Sequence, residues 1–297
     1  MDCLRKDVVD AMTFFSKEKR IFQNEAQFQQ ELALFLNKLK GENGCQKYKV
    51  SLEVLVVDTI DDRSLCEPQG ESFNKYYIDL VVEDLERKCL YPIELKYKTP
   101  QKIILYYDGK DGQEPAGVTF SQGATNVGAY MYWKDVEQLE RLLIKENNLH
   151  ICYSDKEIAK GYALFLTNCS SYLRQYRTNQ SSLYEEFFPY EENVVEGELC
   201  AQIYIDDKGN RCKKSAGFGT VRVSNSMYEK CKERWREQGF YNDLLRPIQL
   251  IGKYNCEWTS YPLNDVWYST NGNTLKELDD RGPCFNYLLQ EIVGSEG

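Results

Sequence analysis

Histidine is almost missing from the 297-residue chain, which carries a single one, His150. That excludes mechanisms needing several imidazoles, such as histidine-ligated zinc hydrolysis or paired-histidine phosphotransfer, and leaves any Ser/His/Asp triad to this one residue. No CxxC pair occurs among the 11 cysteines, scattered at 3, 45, 66, 89, 152, 169, 200, 212, 231, 256 and 284. An odd count at such spacings reads as reduced, mostly structural thiols rather than a disulfide frame or a zinc site. Long apolar runs are missing too: none approaches the roughly 20 residues that span a bilayer. The opening MDCLRKDVVDAMTFFSKEKR threads charges through its only apolar stretch, unlike a signal peptide. A cytoplasmic protein without a membrane partner is expected.

What the chain does have is 42% apolar, 13% aromatic and 28% charged residues, a globular composition with enough length for one large or two modest domains. Its chemistry must then come from carboxylates, lysine, tyrosine or cysteine.

Residues 7–40 read as two helices broken near Ile21–Asn24. The first places Val8, Val9, Met12 and Phe15 on one side. The second starts after Asn24 as N-cap, with Gln27 three residues on, and repeats Phe28, Leu32, Phe35, Leu36 and Leu39 before Gly41. Strand character follows at 48–57, 76–82 and 90–97, the last two joined by a connection too short for a helical crossover and therefore a hairpin. IILYY and a turn-forming insertion lead to a helix over 122–144, then a strand at 162–166. Residues 185–198, EEFFPYEENVVEGE, read as an acidic surface loop. Short strands are expected at 200–205, 217–223 and 248–257, with a charged helix near 227–238. The order gives an α/β fold (α+β, with a mixed sheet flanked by helices) over residues 1–170, and a C-terminal α+β extension over 171–297 that packs on it or stands apart.

Two strands spend one position of an apolar run on a charge. Ile78, Leu80 and Val82 are expected on one face with Asp79 on the other, and Glu94 and Lys96 oppose Ile93, Leu95 and Tyr97. A hairpin centred between residues 86 and 87 sets Asp79 directly across from Glu94. Like charges at that distance destabilise a sheet unless something compensates. A divalent cation does: the two carboxylates and the main-chain oxygen of Leu95 offer hard oxygen ligands to Mg²⁺, with Mn²⁺ as a substitute. Lys96 is then placed to orient or help deprotonate a water and to balance charge on a phosphate, the parts of metal-assisted phosphodiester hydrolysis. Glu86–Lys88, Asp108–Lys110 and Asp206–Lys208 share the spacing but sit in polar, turn-like sequence. The alternative is a salt-bridged polar hairpin edge.

These residues resemble the PD-(D/E)XK nuclease superfamily, whose restriction-endonuclease-like core runs αβββαβ. There an Asp on the second strand and a (D/E)xK on the third bind Mg²⁺, often with a Glu from the first helix. Asp79 matches the first position, with Ile78 rather than Pro before it, and Glu94 and Lys96 match the second. For the helix acid the resemblance implies Glu25, at the N-terminal end of the buried stripe, in preference to Glu31. NEAQFQQELALFLNKL, YIDLVV, IELKYKT, QGATNVGAYMYWKDVEQLE, YALFLTN and LIGKYNCEW are together similar to an uncharacterised bacterial family within that superfamily. Gln122, opening the next helix, stands where related nucleases often carry a polar residue near metal or substrate. Glu53 is a further inward-facing candidate.

Net charge −9 argues against indiscriminate binding of nucleic acid. The stretch from Lys208 to Arg236 nonetheless sets nine basic residues, Lys213, Lys214 and Lys232 among them, against Glu229 and Glu233. It is either a phosphate-tracking surface or a solvated charged face. Tyr172, Tyr176 and Tyr184, interleaved with Arg174 and Arg177, suit base stacking or a core. The expectation is a Mg²⁺-dependent nuclease acting on DNA. An RNA-directed hydrolase and a nonenzymatic scaffold binding nucleic acid or protein stay open, and a homodimer is admitted.

Overall fold

The computed structural model describes residues 3–58, 76–99, 103–107, 117–119, 125–144, 149–151, 154–173, 187–199, 203–205, 211–215, 219–222, 248–263, 266–269, 276–277 and 285–293. Two helices, α1 (Cys3–Lys17) and α2 (Glu25–Lys38), lead into strands β1 (Tyr48–Asp58), β2 (Tyr76–Asp84) and β3 (Cys89–Lys98). Then come β4 (Ile103–Tyr107), β5 (Gly117–Thr119), α3 (Thr125–Leu143), β6 (Leu149–Ile151), β7 (Gly161–Thr167) and the short α4 (Ser170–Leu173). The remaining elements are β8 (Val194–Leu199), β9 (Ile203–Ile205), β10 (Arg211–Ser215), β11 (Gly219–Arg222), β12 (Ile248–Asn255), β13 (Trp258–Tyr261), β14 (Val266–Ser269), β15 (Lys276–Glu277) and β16 (Phe285–Ile292).

The class is mixed α/β, built on a seven-stranded sheet in the order β13-β16-β7-β3-β2-β1-β6. Only β3 and β7 pair in parallel within it; the other neighbours are antiparallel. A parallel pair needs a long crossover, and α3 lies in the connection that supplies it. β7, GYALFLT, is buried at every position, as befits a strand covered on both faces.

Helices α1 and α2 cover one face, where Met12, Phe15, Phe28 and Leu32 pack on Leu80, Ile93, Leu95 and Leu164. Helix α3 covers the other, with Tyr132, Trp133 and Val136 against Ala163 and Phe165. The antiparallel β8–β12 pair adds Val195 and Leu250 to that second core. Sheet strands β13 and β16 come from beyond residue 171, so the sheet draws on both sides of the expected division at 170. Among the described residues no helix is long and apolar enough to cross a membrane.

Two sequence expectations need correction, and one alternative left open is decided. The acidic stretch 185–198 is no surface loop throughout: Phe187 and Phe188 are buried and Val194–Leu199 forms β8, with Val195 and Leu199 inward. Glutamates at 196 and 198 give it a loop-like composition, but they occupy its solvent side. Tyr172 is core, fully buried with its ring 4.7 Å from that of Phe165. Finally, Ile78 does not share a face with Leu80 and Val82. It packs with Val56, Val81, Leu90, Leu142 and Ile151, whereas Leu80 and Val82 lie under α1 and α2. The charged helix near 227–238 falls outside the described residues.

Candidate active site

The face switch originates at one row of the sheet. Ladder partners Leu52↔Leu80 and Val54↔Ile78 flank Glu53 and Asp79, which do not pair in the ladder. Glu53 has φ +49°, a left-handed conformation costly for a residue with a Cβ. Gln29, buried on α2, enters the gap and donates from Nε2 to the Asp79 carbonyl (2.6 Å) and to Glu53 Oε1 (3.0 Å). Such a distortion re-aims a side chain. The carboxylate it re-aims is Asp79.

Strand β3 leaves β2 at the same level. The hairpin runs in the expected register, Asp84↔Cys89 through Leu80↔Ile93, so Asp79 and Glu94 are the next opposed positions. Past Ile93 the amides on that edge of β3 find side chains instead of a strand. Leu95 N–H donates to Asp79 Oδ2 at 2.6 Å, and Tyr97 N–H to Glu25 Oε2 at 2.8 Å. Glu25 can reach because Asn24 caps α2, accepting from Gln27 N–H, and makes Glu25 its first helical residue. Of the two helix glutamates Glu25 is the one that reaches β3, whereas Glu31 lies 4.0 Å from Arg20.

Glu94 and Lys96 project to the α3 side. Glu94 is only 6% exposed. Burial, then the charges of Asp135 and Asp79, hold its carboxyl well above the ordinary range, and it hydrogen-bonds Asp79. Burial likewise pushes Asp79 up to about 6, against the Leu95 N–H and the Lys96 ammonium. Two carboxyls in contact cannot both ionise at little cost. Lys96 forms an ion pair with Asp135 at 2.8 Å and lies 4.0 Å from Glu25. Burial pulls its pKa down, but Asp135, Glu25 and Asp79 outweigh that and leave it above the usual lysine value. Lys96 therefore keeps its proton.

Asp135 is the site residue that the sequence reading missed. It is buried on α3 one helical turn from Tyr132 and Leu139, within an apolar stripe, and burial raises its pKa against the pull of Lys96. A charge inside an apolar stripe was the available signal, the same one that marks Asp79. Glu53 lies in contact with Gln29 but is exposed rather than inward-facing.

The structure thus gathers Asp79, Glu94, Lys96, the Leu95 backbone and Glu25, and adds Gln29 and Asp135. It does not gather the basic segment. Lys213 and Lys214 lie on β10, in the three-stranded β11-β10-β9 sheet, with their side chains outside the described residues; Gln122 and Lys232 lie wholly outside them. Among the described residues no group of three or more His, Cys, Asp or Glu side chains is set to hold a metal ion. Comparison of the chain with protein-family models, curated proteins and solved structures found no match.

Proposed function

We propose that this protein is a metal-dependent phosphodiesterase that cleaves nucleic acid, DNA being the polymer the sequence resemblance implies. The observation that carries the reading is the contact between the buried carboxyl of Glu94 and the half-buried carboxyl of Asp79, beside a lysine that stays charged. The run of two helices, an antiparallel three-stranded unit, a helix and a strand parallel to the third also suits that resemblance.

The residues fit a magnesium ion in one respect that this structure itself supplies: the Asp79–Glu94 pair is a concentration of acid that the Lys96 ammonium and the Leu95 N–H offset only in part, so that both carboxyls stay above their ordinary range. Mg²⁺ is typically held by one or two carboxylates with several waters retained, so a three-carboxylate grip is not required. Asp79, Glu94 and the main-chain oxygen of Leu95 would hold it, with Glu25 at the rim. When bound, the ion polarises a phosphoryl oxygen and makes a bound water more acidic.

The chain's own residues do the rest. Leu95 N–H and Gln29 fix Asp79 from its side chain and its carbonyl. Asp135 fixes the Lys96 ammonium, which as a permanent cation orients a water and balances charge growing on the phosphate. A role for Lys96 as proton acceptor does not suit an ammonium so surrounded by carboxylates.

The test is incubation of the purified protein and its Lys96→Ala variant with plasmid, single-stranded DNA and RNA, in Mg²⁺, Mn²⁺ or EDTA. Cleavage by the unsubstituted protein alone, dependent on metal, is expected, with a loss of about a hundredfold or more in the variant. Equal cleavage by both proteins would remove Lys96 from the mechanism. A protein inert toward all three polymers, with no calorimetric Mg²⁺ or Mn²⁺ site sensitive to Asp79→Ala, would replace the reading with a scaffold.

A further inference from the structure

Lys98 follows Lys96 by two residues, so both side chains leave β3 on the face covered by α3, about 6.7 Å apart along the strand. The helix accommodates them differently. Lys96 meets the carboxylate of Asp135. Lys98 runs past Gly128, where an added Cβ would stand 3.2 Å from Lys98 Cε and 2.5 Å from the Tyr172 hydroxyl. Any larger residue at 128 would fill the channel that holds the lysine stem.

The two lysines also differ in where they end. Among the described residues Lys98 makes no ion pair, although it is largely removed from water. Burial lowers its pKa, Glu25 and Asp135 oppose that only from beyond ion-pair range, and the like charge of Lys96 adds to the lowering. A half-buried ammonium without a counter-ion is an unfavourable arrangement for the free protein. It becomes favourable when an anion arrives beside it, because a charge-assisted hydrogen bond strengthens where water is partly excluded.

We propose that Lys98 binds a non-bridging oxygen of the phosphate next to the scissile one on the substrate strand. The inference rests on the phosphodiesterase reading above and names how that site holds a polymer. Lys98 stands about 6.7 Å beyond Lys96 along the strand, about one step between successive phosphates of a polynucleotide, so the scissile phosphate at Asp79 and Glu94 belongs to Lys96 and the next one to Lys98. A compact lysine charge suits a single phosphate oxygen.

Two substrates separate this role from a structural one: a polynucleotide, and bis-p-nitrophenyl phosphate, a lone diester with no neighbouring phosphate. Lys98→Met keeps the stem and deletes the charge; Lys98→Gln is the second variant, with a polar end. Both should hydrolyse the lone diester within about twofold of the unsubstituted protein, and lose about tenfold or more in kcat/KM on the polymer, mostly through KM. The salt dependence of log kcat/KM on the polymer should become shallower by about 0.9 for a duplex or 0.7 for a single strand, one phosphate contact fewer. Unchanged polymer kinetics and salt slope would overturn the assignment. So would an equal loss on both substrates, or failure of both variants to fold, since either makes Lys98 a packing residue. No metal-dependent hydrolysis by the unsubstituted protein would instead remove the underlying activity, a result visible before any substitution is made.

Discussion

Asp135 stands among aromatic and aliphatic neighbours where α3 meets the sheet, and its charge is matched by Lys96 at 2.8 Å. Removing one member of a buried ion pair leaves the other uncompensated, at a typical cost of about 3–5 kcal/mol. In this case Glu25 and Asp79 also face the lysine, so Asp135→Asn is expected to destabilise by no more than about 3 kcal/mol, measured by urea unfolding. Its effect on the proposed cleavage should be larger in kcat than in KM, because a lysine no longer fixed on α3 would still bind the phosphate but orient water poorly. Wild-type kcat in a folded Asp135→Asn protein would show that Lys96 needs no positioning partner. The same residue marks the limit of what sequence could disclose. Asp79 and Glu94 were legible because each interrupts an apolar strand and the short hairpin fixed their register. Asp135 carried a comparable signal, but a helix stripe tolerates a polar residue at its margin, so one charge there is less conspicuous. Glu53 was illegible in a stronger sense, since left-handed backbone is ordinarily the province of Gly or Asn, and no rule on residue type foretells it at a glutamate.

Helix α3 is tied to the β8–β12 pair by a second buried carboxylate with a different purpose. Glu140 accepts from Ile251 N–H (2.9 Å), Gly252 N–H (2.6 Å) and the Tyr254 hydroxyl (2.7 Å). These donors fall where the β12 ladder shifts register between Leu250 and Lys253, so the carboxylate occupies amides that β8 leaves unpaired. Gly197 on β8, at φ +72°, supplies the matching irregularity, and a Cβ on Gly252 would crowd Glu140 Oε1 at 3.0 Å. Glu140→Gln puts an NH₂ group against donors and loses the charge. It should cost about 3 kcal/mol of unfolding free energy, read from urea midpoints, without abolishing the metal binding proposed for Asp79 and Glu94. Stability within a few tenths of the unsubstituted protein would mean that water serves these amides as well. The strand β8 had been hidden in sequence because its solvent side is acidic, and composition over fourteen residues outweighed the inward pair Val195 and Leu199.

At the scale of the whole molecule, the strand that carries Glu94 and Lys96 is braced by the far end of the chain. β3 pairs with β7, and β7 pairs along its full length with β16, from Gly161↔Ile292 to Thr167↔Asn286. Phe285 stacks on Tyr97 at 6.5 Å, the Tyr261 hydroxyl donates to the Arg20 carbonyl at 2.6 Å, and the Ser16 hydroxyl donates to the carbonyl of Pro262. None of this was legible locally. In FNYLLQEI the apolar positions 285, 288, 289 and 292 follow a helical spacing, and a pairing partner more than a hundred residues away leaves no mark in a short window. The order of elements through residue 170 was readable because local patterns mark it, the tight β2–β3 hairpin and the Asn24 cap of α2 above all; the closing strand depends on distance in sequence. A fragment of residues 1–170 would therefore present β7 as an edge of unpaired amides and carbonyls, and would lose Tyr261, Phe285 and Tyr287 from the core under α1 and α2 and Leu288 and Ile292 from the core under α3. Such a fragment is expected to aggregate, or to lose near-ultraviolet circular dichroism and cooperative melting while the full chain retains both. A soluble 1–170 fragment that melts cooperatively and binds Mg²⁺ would show that the site strand stands without β16, and that the C-terminal part is an addition to the sheet rather than a support for the carboxylates on β3.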